Sequence, residues 1–186
     1  MKNFILFKEI SGTGIIHLNR PMALNALNLQ MAEAFLKQII KWQMDKNIQR
    51  ILLTGEGKAF CAGGDIKSMF LSTKELNLKK NFLFKEYTLN YAISQFTKPY
   101  LSIWNGIVMG GGVGLSIYGN AQIATENSRF AMPETGIGFF PDVGGSYFLS
   151  RISEGVGLYL GMTGKIINAR EMIAFGLATH FQYSKN

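Results

Sequence analysis

Two acids sit where acids are costly. In the run Met132-Pro133-Glu134-Thr135-Gly136-Ile137-Gly138-Phe139-Phe140-Pro141-Asp142-Val143-Gly144-Gly145, Glu134 and Asp142 are surrounded by apolar residues and glycines. A charged side chain in such company is expensive unless it is paired, hydrogen-bonded or used. The same setting raises a carboxyl pKa, which suits general acid–base work. A pair of exposed turn residues after proline would give the same text, and on chemistry alone the two readings carry equal weight. Two glycine loops add to the picture. Cys61-Ala62-Gly63-Gly64-Asp65 and Gly110-Gly111-Gly112-Val113-Gly114 each follow an apolar strand-like segment and lead into a helix-like one. The first N–H groups of a helix have no intrahelical acceptor, and glycine lets another atom approach them closely. Two such bends facing one another would hold an oxygen that gains negative charge. Losing one donor of this kind costs ~100- to 1000-fold in rate. Either loop taken alone is explained as readily by close helix–strand packing.

Several other chemistries lack their residues. The second loop lacks the third glycine of a dinucleotide fingerprint, no Gly-Lys-Ser/Thr phosphate loop is present, and no G-x-S-x-G elbow occurs. Cys61 is the single cysteine, which excludes an internal disulfide and fits a reducing compartment. With no histidine near it in sequence, it reads as a small buried thiol rather than a nucleophile. His17 and His180 are the only histidines and stand far apart, so no metal cluster is expected, and His180 reads as structural. No metal or redox cofactor is implied. The net charge of +7 fits an anionic ligand, but no Lys/Arg cluster interleaved with aromatics marks a nucleic-acid groove. Between Lys98 and Glu126 there is no charge, as in a membrane span, yet six glycines and two asparagines interrupt the stretch. A buried strand leading into a buried helix is expected there instead. The opening MKNFILFKEISG is no secretory signal, since Lys8 and Glu9 break its apolar run. The placement expected is cytoplasmic.

The elements that would carry these groups follow from periodicity. Phe4–Ile10 and Ile15–Leu18 form a hairpin around Ser11-Gly12-Thr13-Gly14. From Asn28, Ala32, Phe35, Leu36, Ile39 and Ile40 recur at helical spacing. Arg50–Thr54 reads as a buried strand, followed by a loop over Gly55–Asp65 and a helical stretch from about Glu75 to Phe96. Tyr100–Trp104 is the next strand, and Gly110–Tyr118 opens a helix. Short strands follow at Gln122–Thr125 and Arg129–Ala131, with helical segments at Gly144–Ile152, Val156–Met162 and Ala169–Phe175. Asn168 with Glu171 forms a capping box, and Gly176 is the stop. A hairpin followed by strand–helix units predicts an α/β fold with a largely parallel sheet, a single domain over residues 1–186. At 47% apolar residues the chain can fill one core.

These segments, in order, resemble the crotonase (enoyl-CoA hydratase/isomerase) superfamily. The matching text is Asn19-Arg20-Pro21 with Ala23-Leu24-Asn25-Ala26-Leu27, then Gly57-Lys58-Ala59-Phe60-Cys61-Ala62-Gly63-Gly64-Asp65. It continues through Lys98-Pro99, Asn105-Gly106, Gly110-Gly111-Gly112, Phe130-Ala131-Met132-Pro133-Glu134 and Gly144-Gly145. The resemblance implies a crotonase-like ββα spiral core and an oxyanion hole made by the N–H groups of Gly64 and Gly111. It puts Ala62 and its neighbours at the adenine end of coenzyme A, with Lys58 near the phosphates. Hydratases of the superfamily use two glutamates. One is retained as Glu134, and the other falls at Gly114, which carries no acid. The remaining text is similar to the 3-hydroxyisobutyryl-CoA hydrolase branch, in which a glutamate matching Glu86 also contacts substrate. The implied activity is hydrolysis of a short, branched 3-hydroxyacyl-CoA thioester, as in valine breakdown. Glu134 would be general base or nucleophile, with Asp142 orienting the substrate hydroxyl. Coenzyme A would enter with the substrate, so no separate cofactor is implied, and the partner is the acyl-CoA itself in a chain that can form a homo-oligomer. Members usually run longer, so a C-terminal helical part is expected to be missing. Two alternatives stay open: a hydratase or isomerase on the same scaffold, and a non-catalytic acyl-CoA-binding fragment.

Overall fold

A computed structural model describes residues 3–71, 76–153 and 155–185. The chain opens with strands β1 (Ile5–Ile10) and β2 (Thr13–Leu18), paired antiparallel. Their turn is tighter than expected, since Thr13 and Gly14 already belong to β2. Ser11 and Gly12 take φ of 47° and 75°, the left-handed pair that a two-residue hairpin turn of matching twist requires. Helix α1 (Leu29–Met44) starts at Asn28, whose side chain accepts from the Met31 N–H at 2.9 Å. It buries Met31, Ala32, Phe35, Ile39 and Trp42. Next come β3 (Arg50–Gly55), β4 (Ala59–Cys61), α2 (Ile66–Leu71) and α3 (Leu76–Ser94). The expected start of α3 at Glu75 lies outside the described residues. Then follow β5 (Tyr100–Trp104), β6 (Ile107–Met109), α4 (Gly111–Gly114), β7 (Ala121–Ala124) and β8 (Arg129–Ala131). A 3-10 turn (Glu134–Ile137), α5 (Gly145–Leu149), α6 (Val156–Thr163), β9 (Ile167–Asn168), α7 (Ala169–Ala174) and β10 (His180–Phe181) complete the order.

Three times the chain runs along one sheet, turns a corner and runs along another: β3 into β4, β5 into β6, β7 into β8. The first sheet has the order β1-β2-β3-β5-β7-β10, the second β4-β6-β8-β9. Pairing is parallel except for β1–β2 and β8–β9. This stepped ββ advance, with helices between steps, matches the α/β spiral expected. At the second corner Gly106 has φ 98° and packs so closely on the Lys58 carbonyl that no Cβ fits. The core lies between the sheets and the helices, where Trp104 stacks on Phe130 with ring centres 6.2 Å apart.

Two expectations are corrected. The loop over Gly55–Asp65 contains β4, and β6 fills the gap before Gly110. Both strands have three residues, too short for any period to show, and exist through parallel pairing with each other and, for β6, with β8. The helix over Gly110–Tyr118 shrinks to α4. Four glycines in five residues weaken a helix, and Ser116 Oγ bonds back to the Gly112 and Val113 carbonyls. Gln122 Nε2 then takes the Ser116 and Gly119 carbonyls at 3.0 and 2.9 Å, so their partners come from a side chain and not from a further helical turn. The capping box on α7 is formed as expected, and Gly176 follows with φ 73°. Among the described residues no helix is long and apolar enough to cross a membrane.

Candidate active site

The first glycine bend is held from below. Leu27 N–H donates to the Gly63 carbonyl and Asp65 N–H to the Leu27 carbonyl, each at 2.8 Å. Asn25, fully buried at φ 55°, donates to the Glu56 and Ala59 carbonyls at 2.9 and 2.7 Å and accepts from Arg20 N–H at 2.8 Å. Arg20 then pairs with Asp65 at 2.7 Å. Cys61 lies inside this frame, its Sγ 3.1 Å from the Asn25 carbonyl, and burial pushes its thiol up to about 12. It is not a nucleophile at ordinary pH.

The second bend meets the first. A Cβ placed on Gly111 would lie 3.2 Å from the Gly64 nitrogen and against Glu86 Oε1. One placed on Gly63 would lie 3.7 Å from the Gly111 nitrogen, and one on Gly110 only 2.6 Å from Glu134 Oε1. The two bends therefore converge with a carboxyl at each side. Among the described residues neither the Gly64 nor the Gly111 N–H donates to a backbone carbonyl. A side chain at 110 would be strained by φ 48°, and one at 111 would have to push the Glu86 carboxyl aside and crowd the Gly64 nitrogen.

Each acid arrives on a different element. Glu86 comes from the inward face of α3, with Phe82, Leu89, Asn90 and Ile93. Glu134 begins the 3-10 turn after β8, and Asp142 ends the loop before α5. Burial, reinforced by Asp142 and Glu134, raises the Glu86 carboxyl to about 8. Burial, with Asp142 adding, raises Glu134 to about 7. Asp142 is also raised by burial, although the Tyr87 hydroxyl, donating to its Oδ2 at 2.8 Å, opposes the rise. Glu86 Oε1 and Glu134 Oε2 have no hydrogen-bond partner among the described residues. Three carboxyls around two free amide donors can hold an oxygen and move a proton next to it.

Beside them lies a cavity of about 860 Å³, with Tyr87, Asn90, Tyr118, Phe140, Asp142 and Tyr147 in its wall. Gly114 sits under this wall. A Cβ there would fall 2.7 Å from Val143 Cβ and 2.8 Å from Asn90 Nδ2, so the position has no room for a second glutamate. Of the other expected site residues, Ala62 is half-buried beside Gly63, while Lys58 is exposed at the β3–β4 corner. Sequence reasoning did not single out Tyr87, Asn90 or Tyr118. Asn90 had a signal, since it stands four residues after Glu86 and so shares its helix face.

A family model described as enoyl-CoA hydratase/isomerase matches residues 13–186. The chain belongs to that family. Among curated enoyl-CoA hydratase/isomerase relatives, it is 48% identical to "3-hydroxyisobutyryl-CoA hydrolase, mitochondrial" of Danio rerio, over 97% of this chain and 48% of that one. It is 47% identical to "3-hydroxyisobutyryl-CoA hydrolase 1" of Arabidopsis thaliana, over 95% and 47% respectively. The chain thus spans about half the length of the curated relatives it matches. Solved structures of the family align closely. A carnitinyl-CoA dehydratase from Mycobacterium thermoresistibile gives a TM-score of 0.92 at 41% identity, over 97% of this chain and 54% of that one. An enoyl-CoA hydratase from Bacillus anthracis gives 0.91 at 28% identity, over 98% and 71%. The resemblance and the fold drawn from sequence both stand.

Proposed function

We propose that this chain carries the site of an acyl-CoA thioester hydrolase acting on a short, branched 3-hydroxyacyl group of the 3-hydroxyisobutyryl-CoA type. The observation that carries this reading is the meeting of the two glycine bends. The Gly64 nitrogen stands 3.2 Å from the side-chain position of Gly111, with Glu134 alongside at a carboxyl pKa of about 7. In the proposed reaction the thioester oxygen lies against both N–H groups, which hold it as it gains charge. Glu134 takes a proton from water while the water oxygen attacks the carbonyl carbon. The carbon–sulfur bond then breaks, and the thiolate leaves with the proton returned to it. In the other form of the step, the Glu134 oxygen attacks first and a mixed anhydride is hydrolysed afterwards. Asp142 orients the substrate hydroxyl, Glu86 lines the acyl pocket, and Ala62 with Lys58 lies toward the coenzyme A moiety.

Thiol release from 3-hydroxyisobutyryl-CoA, followed with a thiol reagent, tests the activity. Undiminished release by Glu134→Ala would remove Glu134 from the mechanism. A single turnover in ¹⁸O-water with a parallel thiol trace separates the two steps: label in the Glu134 carboxyl, or a burst of thiol ahead of the free acid, marks the anhydride, and label in the product alone with thiol and acid appearing together marks the direct attack of water.

A second reading, hydration of an enoyl-CoA, is favoured by one observation, the presence of both Glu86 and Glu134 with raised pKa values at the same bends. It predicts loss of the enoyl absorbance with no thiol appearing. The crowding around Gly114 weighs against it, because the position that would bear the second hydratase glutamate is occupied by Val143 and Asn90. We keep a cytoplasmic placement as part of the proposal. Fractionation against a mitochondrial matrix marker tests it, since the Danio rerio relative carries a mitochondrial name.

A further inference from the structure

Asp142 is the one acid of the three whose carboxylate is tied to a phenol. It sits on a turn that its own sequence disfavours: Val143 is β-branched yet takes φ 44°, and Gly144 follows at φ 82°. A β-branched residue in the left-handed region persists only where its surroundings over-determine it. Here two tyrosines do so at consecutive residues. The Tyr87 hydroxyl, from α3, donates to Asp142 Oδ2 at 2.8 Å. The Tyr118 hydroxyl, from the turns after α4, donates to the Val143 carbonyl at 2.7 Å. Gly144 packs directly under the Tyr118 hydroxyl, so that phenol also fixes the next residue.

We propose that Tyr87 is a positioning residue that holds the Asp142 carboxylate in the site, with Tyr118 pinning the backbone of the same turn. This rests on the hydrolase reading for its catalytic meaning. Glu86 from α3 and Glu134 from the 3-10 turn both face Asp142 and are raised by its charge. On the α5 side stand Tyr147 and, over its ring, Arg151. Without the Tyr87 donor, repulsion from the two glutamates and half-burial favour a rotation of the Asp142 side chain toward solvent, or its protonation in place. Tyr87 thus supplies a neutral side-chain donor on the side where like charges crowd. Tyr118 touches a carbonyl and not the carboxylate, so it fixes the turn without setting the acid's charge.

The distinguishing measurement is a ¹³C-carboxyl aspartate titration of the whole chain, with the Asp142 signal assigned by Asp142→Asn. Tyr87→Phe removes one oxygen and raises the Asp142 midpoint by about 0.5–1 pH unit. Tyr118→Phe leaves that midpoint in place. In thiol-release assays, Tyr87→Phe lowers kcat/KM about 10-fold in the wild-type background and adds no further loss when introduced on top of Asp142→Asn. If Tyr87→Phe does not fold, 3,5-difluorotyrosine at position 87, a stronger donor, shifts the midpoint downward instead. An Asp142 midpoint unmoved by either replacement at Tyr87, or moved equally by Tyr118→Phe, overturns the proposal. If the wild-type chain releases no thiol, the hydrolase reading fails while the carboxyl titration still decides the role of Tyr87.

Discussion

Glu86 makes a stability prediction whose sign and size follow from its burial. Its carboxyl, 3% exposed, is raised from 4.5 to about 8, first by burial and then by the charges of Asp142 and Glu134. A raised carboxyl means that the folded chain holds a proton which the unfolded chain has already released. Between about pH 4.5 and 8 the unfolded state therefore binds fewer protons, and stability falls as pH rises through that window, levelling above it. At ~1.4 kcal/mol per pH unit, the rise from 4.5 to about 8 amounts to about 4–5 kcal/mol. Glu86→Gln keeps the shape and removes the titration. Its stability relative to wild type should grow by about 1.4 kcal/mol for each pH unit between roughly 5 and 8. Urea unfolding at a series of pH values reads this directly, with fluorescence from the buried Trp42 and Trp104 as the signal. Wild-type and Glu86→Gln stabilities that run parallel from pH 5 to 8 would refute the reasoning. They would mean that water reaches the carboxyl and that it titrates near its ordinary value.

Other expectations are simpler. The kcat/KM for thiol release should rise through about pH 7 as Glu134 loses its proton, and Glu134→Gln should cost ~100- to 10,000-fold, both read from initial rates across pH. Gly111→Ala drives a methyl group against Glu86 and the Gly64 nitrogen, and should reduce turnover at least ~100-fold with a loss of about 1–3 kcal/mol in urea unfolding. Gly114→Glu has no space beside Val143 and Asn90; it should lower stability by about 2–3 kcal/mol or more and bring no enoyl hydration, checked by absorbance. Asn25→Ala removes one accepted and two donated hydrogen bonds under the first glycine bend, and should cost about 2–4 kcal/mol by the same unfolding assay.

What could be seen in the sequence is what depends on local pattern. The hairpin follows from alternation around Ser11-Gly12, α1 from its apolar stripe, and the α7 cap from Asn168 and Glu171 three residues apart. Glu134 and Asp142 stood out because acids among apolar residues are expensive; Glu134 lies at the bends, and Asp142 is near enough to raise it. What could not be seen depends on pairing across long separations. β4 and β6 are each three residues, β4 paired with β6 across 48 residues at Ala59 and Ile107 and β6 also with β8. Glu86 had no local mark, since one acid on a helix is ordinary until the tertiary fold buries it. Tyr87 and Tyr118 were invisible for the same reason, their hydroxyls reaching partners 55 and 25 residues away.

The glycines of the site are best understood as reserved volume. Those at 110, 111 and 114 share a wall, and each missing side chain has a different occupant: Glu134 at the first, Glu86 and the Gly64 amide at the second, Val143 and Asn90 at the third. The first two leave room for acids to approach free backbone donors, which is a requirement of chemistry at an oxygen. The third admits no acid and lets the Asp142–Gly144 turn pack inward, where Tyr87 and Tyr118 can grip it. A glutamate at 114 would thus have to displace Val143 and Asn90, which flank the turn that carries Asp142. In this chain glycine at 114 leaves the third carboxyl on the turn after Pro141, where Tyr87 holds it, and the glycine-rich helix itself carries none.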